Sequence, residues 1–480
     1  MNQVGAIRQA IIDAIPYRTS NFGESPDSRF VYVPPAHLKA LRLESNVVIG
    51  SRGVGKSFWT AALNTPNLRA MLGVSVRDLE NTRVIRIGFA GNENIDAYPT
   101  PEVIAELIRQ GFTPYEIWRA VIVRWLVTIT KDTIPTETWA ASASWVKSNP
   151  ELLARISQSA NNLLLSNNEK GLILFDALDR SSNDWQTMDT IVRDLLKVAL
   201  WMKSYSHIHA KVFLREDQFS RTVTDFPDAS KLLATKAELT WQPHDLHGLL
   251  WQLLCNALGE QGELLRTIYT TVIGKTPLQN KEIWSLADEA RRESRQQREL
   301  FEALAGRWMG KDRRRGVPYV WTVSHLADGK GRTSPRSFLA AVREAAEDSR
   351  DRYPEHPWSL HYESIKRGVQ KASSIRIDEL AEDYPWATHM LGALQGLTVP
   401  CEFAVIQDRW DHRFPTGIKT GDYDRLPPQH LERGWTGILE DLERLGLFER
   451  MKDSRINMPD LYRVGFGLGR RGGVKPMNRK

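Results

Sequence analysis

A chain of 480 residues is too long for one hydrophobic core and implies two to four domains. With 41% hydrophobic and 25% charged residues it has a globular composition, and the lack of any run of about 18 apolar residues excludes a helical membrane span. A net charge of +6 over this length points only weakly to an anionic partner. Two distant cysteines, Cys255 and Cys401, make neither a disulfide framework nor a zinc pattern, and the expected setting is a reducing cytoplasm.

Met1–Pro16 carries Arg8 and Asp13 among apolar residues and reads as a short amphipathic helix, not a signal peptide. With residues 17–45 it forms an N-terminal lead-in, 1–45, of which 17–45 is expected to pack beside the segment that follows. There Val47–Ile49 is an apolar, β-branched run, and Gly50-Ser-Arg-Gly53-Val-Gly55-Lys56-Ser57 fits the phosphate-loop pattern G-x-x-x-x-G-K-S/T at every position. Phe58–Leu63 opens a helix. Strand, Gly-rich turn and helix N-terminus together give the pattern a mechanism. Backbone N–H groups converge on phosphates, Lys56 supplies a positive charge, and the Ser57 hydroxyl ligates Mg²⁺. The nucleotide-binding candidates are therefore Gly50, Arg52, Gly53, Val54, Gly55, Lys56, Ser57 and Phe58, and the ligands expected are ATP and Mg²⁺.

Thr82–Ala90 reads as a strand, Pro101–Arg109 and Pro114–Thr130 as helices, and Trp139–Ser166 continues helical. Gly171–Phe175 is a buried strand ending in Asp176. Asp189–Met202 is amphipathic, Ala210–Arg215 is another strand, and Glu238–Trp241 a last one. Strands alternating with helices predict an α/β fold, a doubly wound and mainly parallel sheet, over 46–243.

From His244 the pattern is helical: Leu246–Leu258, Leu264–Ile273, Glu282–Ala290, Gln297–Trp308 and Ser334–Asp348 give a helical domain over 244–350. Ser334 is placed to cap the last of these, with Pro335 at its first turn. Residues 351–372, with Pro354 and Pro357, read as a linker. Over 373–469, short helices and a longer one at His430–Leu445 precede a two-stranded hairpin, the outline of a winged helix. Two stretches are locally basic, Lys311–Arg315 and the tail 470–480.

In phosphate-loop ATPases a buried strand ends in an Asp that holds the Mg²⁺ shell, and a second acid orients the attacking water. Asp176 matches the first role. Asp179 is the nearest acid for the second. Phe175-Asp176-Ala177-Leu178-Asp179-Arg180 resembles the acidic motif of the STAND ATPases, bacterial signal-transduction ATPases related to the AAA+ class. Ala177 matches the family's small residue and Asp179 its second acid, but Arg180 replaces the final Glu.

The resemblance implies that Arg215, ending the fourth strand, senses the γ-phosphate. It also implies that Arg336, opening a helix after Pro335, is the arginine of a helical lid. Catalytic candidates are thus Lys56, Asp176, Asp179 and Arg215. The function implied is a slowly hydrolysing ATP-dependent switch, oligomeric when ATP-bound, that relays nucleotide state to a partner protein in bacterial defence or regulation. Two alternatives remain open: a DNA-associated AAA+-type ATPase of the loader or initiator kind, and a nucleotide-bound scaffold. Charges of both signs on the last helix predict weak, non-specific DNA contact through the tail.

Overall fold

The computed structural model describes residues 3–16, 24–419 and 425–476. Five strands, Val47–Ile49 (β1), Thr82–Phe89 (β2), Lys170–Phe175 (β3), Ile208–Leu214 (β4) and Ala237–Glu238 (β5), form a sheet in the order β2-β3-β4-β1-β5. Every pairing is parallel. Parallel neighbours need a crossover, and each connection between consecutive strands carries helix. Leu172, Ile173, Leu174 and Phe175 are all buried, so both faces of β3 are covered. This is the doubly wound parallel sheet that the sequence predicts. Because β4 lies between β1 and β3, the phosphate loop, Arg215 and Asp176 leave the same edge of the sheet from three adjacent strands.

The helix Pro114–Thr130 begins in a capping box, where Glu116 N–H donates to Thr113 Oγ1 at 3.3 Å and Thr113 N–H to Glu116 Oε2 at 2.8 Å. It buries Trp118 and Trp125. The Trp118 ring meets Phe175 edge to face at 5.6 Å, and its indole N–H donates to the Ile191 carbonyl at 3.0 Å. Gly171 is small because a Cβ there would stand 3.0 Å from the Trp125 ring. The stretch Trp139–Ser166 is helical as expected, in two helices, Trp139–Ser148 and Pro150–Ser166. The ring of Pro150 forces Asn149 out of helical backbone (φ −128°, ψ 55°).

The chain divides into two compact units: Ser20–Pro26 with Val33–Thr240, which holds the sheet, and Met1–Thr19 with Asp27–Tyr32 and Trp241–Lys480. The expected lead-in over 1–45 is therefore split. The helix Gln3–Ala14 belongs to the second unit, where it packs on the helix Pro335–Arg352. Arg8 is the physical reason. Its buried guanidinium donates to the carbonyls of Pro354, His356, Trp358 and Ser359 at 2.9–3.2 Å, and Arg343 donates to the carbonyls of Ile12 and Ile15.

The expected linker 351–372 is also corrected. Only a short turn surrounds Pro354 and Pro357, and Tyr362–Asp383 is a helix burying Ile365, Val369 and Ala372. At Gly368 a Cβ would lie 2.2 Å from the Ala341 carbonyl, so this helix approaches Pro335–Arg352 at backbone contact. The helix expected at Glu282–Ala290 is instead the hairpin Leu278–Asn280 (β6) and Ile283–Ser285 (β7), followed by the short helix Asp288–Arg291. Farther on, the helices Phe403–Arg413 and Gly434–Arg444 precede the antiparallel pair Glu449–Arg450 (β8) and Ile456–Asn457 (β9). Gly329 N–H donates to the Gly446 carbonyl at 2.7 Å, joining the 244–350 and 373–469 segments inside this unit.

Candidate nucleotide site

β1 is held on both sides. Gly50 N–H donates to the Leu214 carbonyl at 3.1 Å, and Leu239 N–H to Ile49 at 2.8 Å. The loop that follows needs its glycines. A Cβ on Gly50 would come within 2.6 Å of Val54 Cγ2, and Gly53 and Gly55 have φ of 80° and 105°. Gly55 is the left-handed residue before the helix Lys56–Asn64. The first N–H groups of that helix have no intrahelical acceptor, which is the electrostatics an anion requires.

Lys56 Nζ donates to the carbonyls of Gly50 and Ser51, each at 2.9 Å. Burial pushes its ammonium down to about 8; Arg215 adds to the fall, and Asp176, Asp179 and Asp217 oppose it. Two cations and three carboxylates therefore lie within electrostatic reach of one another. The Ser57 hydroxyl and the Ala177 N–H both favour the charged form of the Asp176 carboxylate. Asp176 is buried, and desolvation raises its pKa against the pull of Ser57 and Lys56.

Arg215 Nη1 donates to Asp179 Oδ2 at 3.3 Å, and its Nε lies 3.4 Å from Asp217 Oδ1. Asp217 is missing from the sequence-derived site. It belongs to the 3₁₀ turn Glu216–Gln218 directly after β4. The one sequence signal was the acidic pair Glu216-Asp217 immediately behind a strand-ending arginine. Gln218 Oε1 accepts the Arg215 N–H at 3.0 Å and fixes that turn.

Arg180, standing where the family motif has Glu, donates from Nη1 to the Gly91 carbonyl at 2.8 Å, in the loop after β2. It brings no carboxylate to the cluster. Arg336 lies in the second unit, on the helix Pro335–Arg352, where it bonds Glu379; Arg376 shares that carboxylate at 2.7 Å. The sequence groups Arg336 with the loop residues; in the folded chain it is held inside the other unit.

The loop fits a phosphate chain. The glycine cradle would be filled by a Cβ at Gly50, and Lys56 is anchored by loop carbonyls with its charge close to Arg215. Among the described residues no group of three or more His, Cys, Asp or Glu is arranged to hold a metal. Ser57 and Asp176 are the two oxygen-bearing side chains that would hold Mg²⁺, an ion that takes its remaining ligands from phosphates and water.

No protein-family model matches the chain, and no curated protein matches it. Among solved structures, it is similar to the ORC2 protein of Aeropyrum pernix in its ADPNP–ADP complexes, at 14% identity over 90% of this chain and 93% of that one, with a TM-score of 0.40. It is also similar to the ORC1 protein of the same organism in complex with DNA, at 12% identity over 94% of this chain and 93% of that one, with a TM-score of 0.35.

Proposed function

We propose that the chain is an AAA+-type ATPase that works as a slow, STAND-like nucleotide switch. What supports the reading is the meeting of Lys56, Ser57, Asp176, Asp179 and Arg215 at the ends of three adjacent parallel strands. Lys56 and the loop N–H groups bind the β- and γ-phosphates of ATP. Ser57 and Asp176 hold Mg²⁺, which when bound neutralises phosphate charge. Asp179 orients water for in-line attack on the γ-phosphorus. Arg215 stabilises charge on the γ-phosphoryl oxygens as the bond to the leaving β-phosphate oxygen breaks. Arg180 in place of the motif's final Glu makes this turnover slow, and slow turnover suits a switch that reports its state to a partner protein or to further copies of itself. Arg336, on the helix Pro335–Arg352 of the second unit, is the lid arginine of this reading.

The test is binding of a fluorescent ATP analogue and release of phosphate with Mg²⁺, in wild type and in Lys56→Ala. Undiminished binding by the variant overturns the reading.

A second reading, a DNA-associated ATPase, is favoured by one observation. Lys311, Arg313, Arg314 and Arg315 are exposed and have no ion pair among the described residues. Asp312, within the run, accepts the Arg314 N–H at 2.8 Å and caps the 3₁₀ turn that displays them. Met309 N–H to the Gly316 carbonyl, at 2.9 Å, closes the loop beneath. By contrast, Arg433, Arg450 and Arg455 beside the helix Gly434–Arg444 and the hairpin after it are paired with Glu440, Glu443 and Asp453. Arg470 contacts Asp460 at 3.4 Å, and tail residues 477–480 lie outside the described residues. Among the described residues, Arg471 and Lys475 in the tail are exposed without an ion pair as well, but Lys311–Arg315 is the denser unpaired basic run, and contact with DNA phosphates is assigned to it first.

A further inference from the structure

Arg215 is held by two carboxylates that differ in how they are attached to it. Asp217 lies two residues along the chain, on the turn that Gln218 pins to the Arg215 N–H, so Asp217 and Arg215 move as one piece. Asp179 comes from the turn after β3, a separate element. Its side chain is 27% exposed against 14% for Asp217. The two acids also meet different nitrogens, Asp217 at Nε and Asp179 at Nη1. One can therefore leave while the other stays.

We infer that Asp217 is the positioning residue that keeps Arg215 aimed at the site, and that Asp179 occupies on Arg215 the place a γ-phosphate takes. The inference rests on the ATPase reading above. Without nucleotide, the guanidinium covers the carboxylate that is to orient water. ADP has no group to compete for Nη1, so the Asp179–Arg215 pair persists. ATP brings a γ-phosphate oxygen that replaces Asp179 on Nη1, and the released carboxylate turns to water. Arrival of the third phosphate and unmasking of the acid become one event. No bond is made or broken in the exchange; only ionic and hydrogen-bonded partners change.

The exchange makes the two acids act oppositely on affinity. Asp179→Asn removes the γ-phosphate's competitor, so affinity for a non-hydrolysable ATP analogue rises by about threefold or more while ADP affinity is unchanged and turnover is lost. Asp217→Asn releases the side of the guanidinium that should stay fixed, so preference for the ATP analogue over ADP falls by about tenfold. Asp217→Glu restores much of that preference. A merely structural role for Asp217 would lower the melting temperature without nucleotide and weaken both nucleotides equally.

The experiment is titration of the full chain and the three variants with fluorescent ADP and a fluorescent non-hydrolysable ATP analogue, with melting curves alongside. Opposite shifts for Asp179→Asn and Asp217→Asn, with near wild-type melting, support the inference. An unchanged analogue-to-ADP ratio in Asp217→Asn, in a wild-type protein that binds and hydrolyses ATP, overturns it and leaves the ATPase reading standing. A wild-type chain that binds neither nucleotide overturns both.

Discussion

Lys211 Nζ donates to the carbonyl of Ala40 at 2.7 Å, joining residues 171 positions apart. The same ammonium donates to Arg42 at 2.9 Å and Ser45 at 2.7 Å. These carbonyls lie at and just beyond the C-terminal end of the helix Pro35–Leu41, where carbonyls lack helical partners and a cation is favoured. Burial pushes Lys211 down to about 7. Three acceptors, however, use all three donors of the ammonium, which the neutral amine does not have. Lys211→Met should cost roughly 3–5 kcal/mol, because it strands buried carbonyls as well as losing their donor. Chemical denaturation reads this directly, and a variant as stable as wild type would show that the clasp contributes nothing.

A second prediction concerns Lys56. Its bonds to Gly50 and Ser51 mean that it also supports the loop. Lys56→Ala should therefore lower ATP affinity by about one to two orders of magnitude and also cost about 1 kcal/mol of nucleotide-free stability. The first effect is read by equilibrium binding, the second by unfolding without ligand.

The Ser57–Asp176 pair should separate magnesium-dependent from magnesium-independent binding. Asp176→Asn keeps the shape and an acceptor for the Ser57 hydroxyl but removes the charge. Its nucleotide affinity in Mg²⁺ should drop about tenfold or more and approach that of wild type in a chelator. Equal affinity of variant and wild type in Mg²⁺ would remove Asp176 from the metal's ligands.

Acid should weaken the sheet unit through His37. Its Nδ1 accepts the Trp59 indole N–H at 3.1 Å, and burial pushes the imidazole down to about 4 from an ordinary 6.5. Between those values the unfolded chain holds a proton that the folded chain refuses. Stability from this group is therefore present above pH 6.5, falls as pH is lowered, and is lost near 4. At pH 5 the loss is roughly 2 kcal/mol. His37→Asn removes the titration, so the stability gap between pH 7 and pH 5 should shrink by about that amount. His209, also pushed to about 4, leaves part of the slope in place. An unchanged gap would mean that His37 charges within the fold.

DNA affinity, if present, should depend on the Lys311–Arg315 loop. Replacing Arg313, Arg314 and Arg315 with Ala should reduce the slope of log affinity against log salt by about three. A chain ending at Gly469 should lose less. Fluorescence anisotropy at low and physiological salt compares the two, and a larger effect from the truncation would return the contact to the tail.

The phosphate loop was legible because its chemistry is local. Gly50 to Ser57 run consecutively, and the strand before them and the helix after them carry their own signals. Asp176 was legible for the same reason, at the end of an uninterrupted apolar strand. Asp217 was not, because its tie to Arg215 depends on where a 3₁₀ turn aims two side chains, and no pattern of residue types encodes that. At 351–372 the prolines dominated the composition, whereas Ile365, Val369 and Ala372 make a helix face only against Pro335–Arg352. The hairpin β6–β7 was hidden for a related reason: Ile283–Ser285 is too short to show the alternation of a strand. Gln3–Ala14 was correctly a helix, but nothing in its sequence names a partner more than 300 residues away.

That last pairing sets an order of events during synthesis. Arg8 is made before its four carbonyl partners, which, up to Ser359, lie as many as 351 residues downstream. At the usual pace of translation the first helix waits roughly 20–70 s for them to be made. Twelve residues hold a helix only marginally alone. Over the same interval every strand of the sheet is made, with all of its sheet partners already present. The sheet can thus be complete while Arg8 still lacks its carbonyl partners, and a chain cut short before Pro354 supplies none of the four.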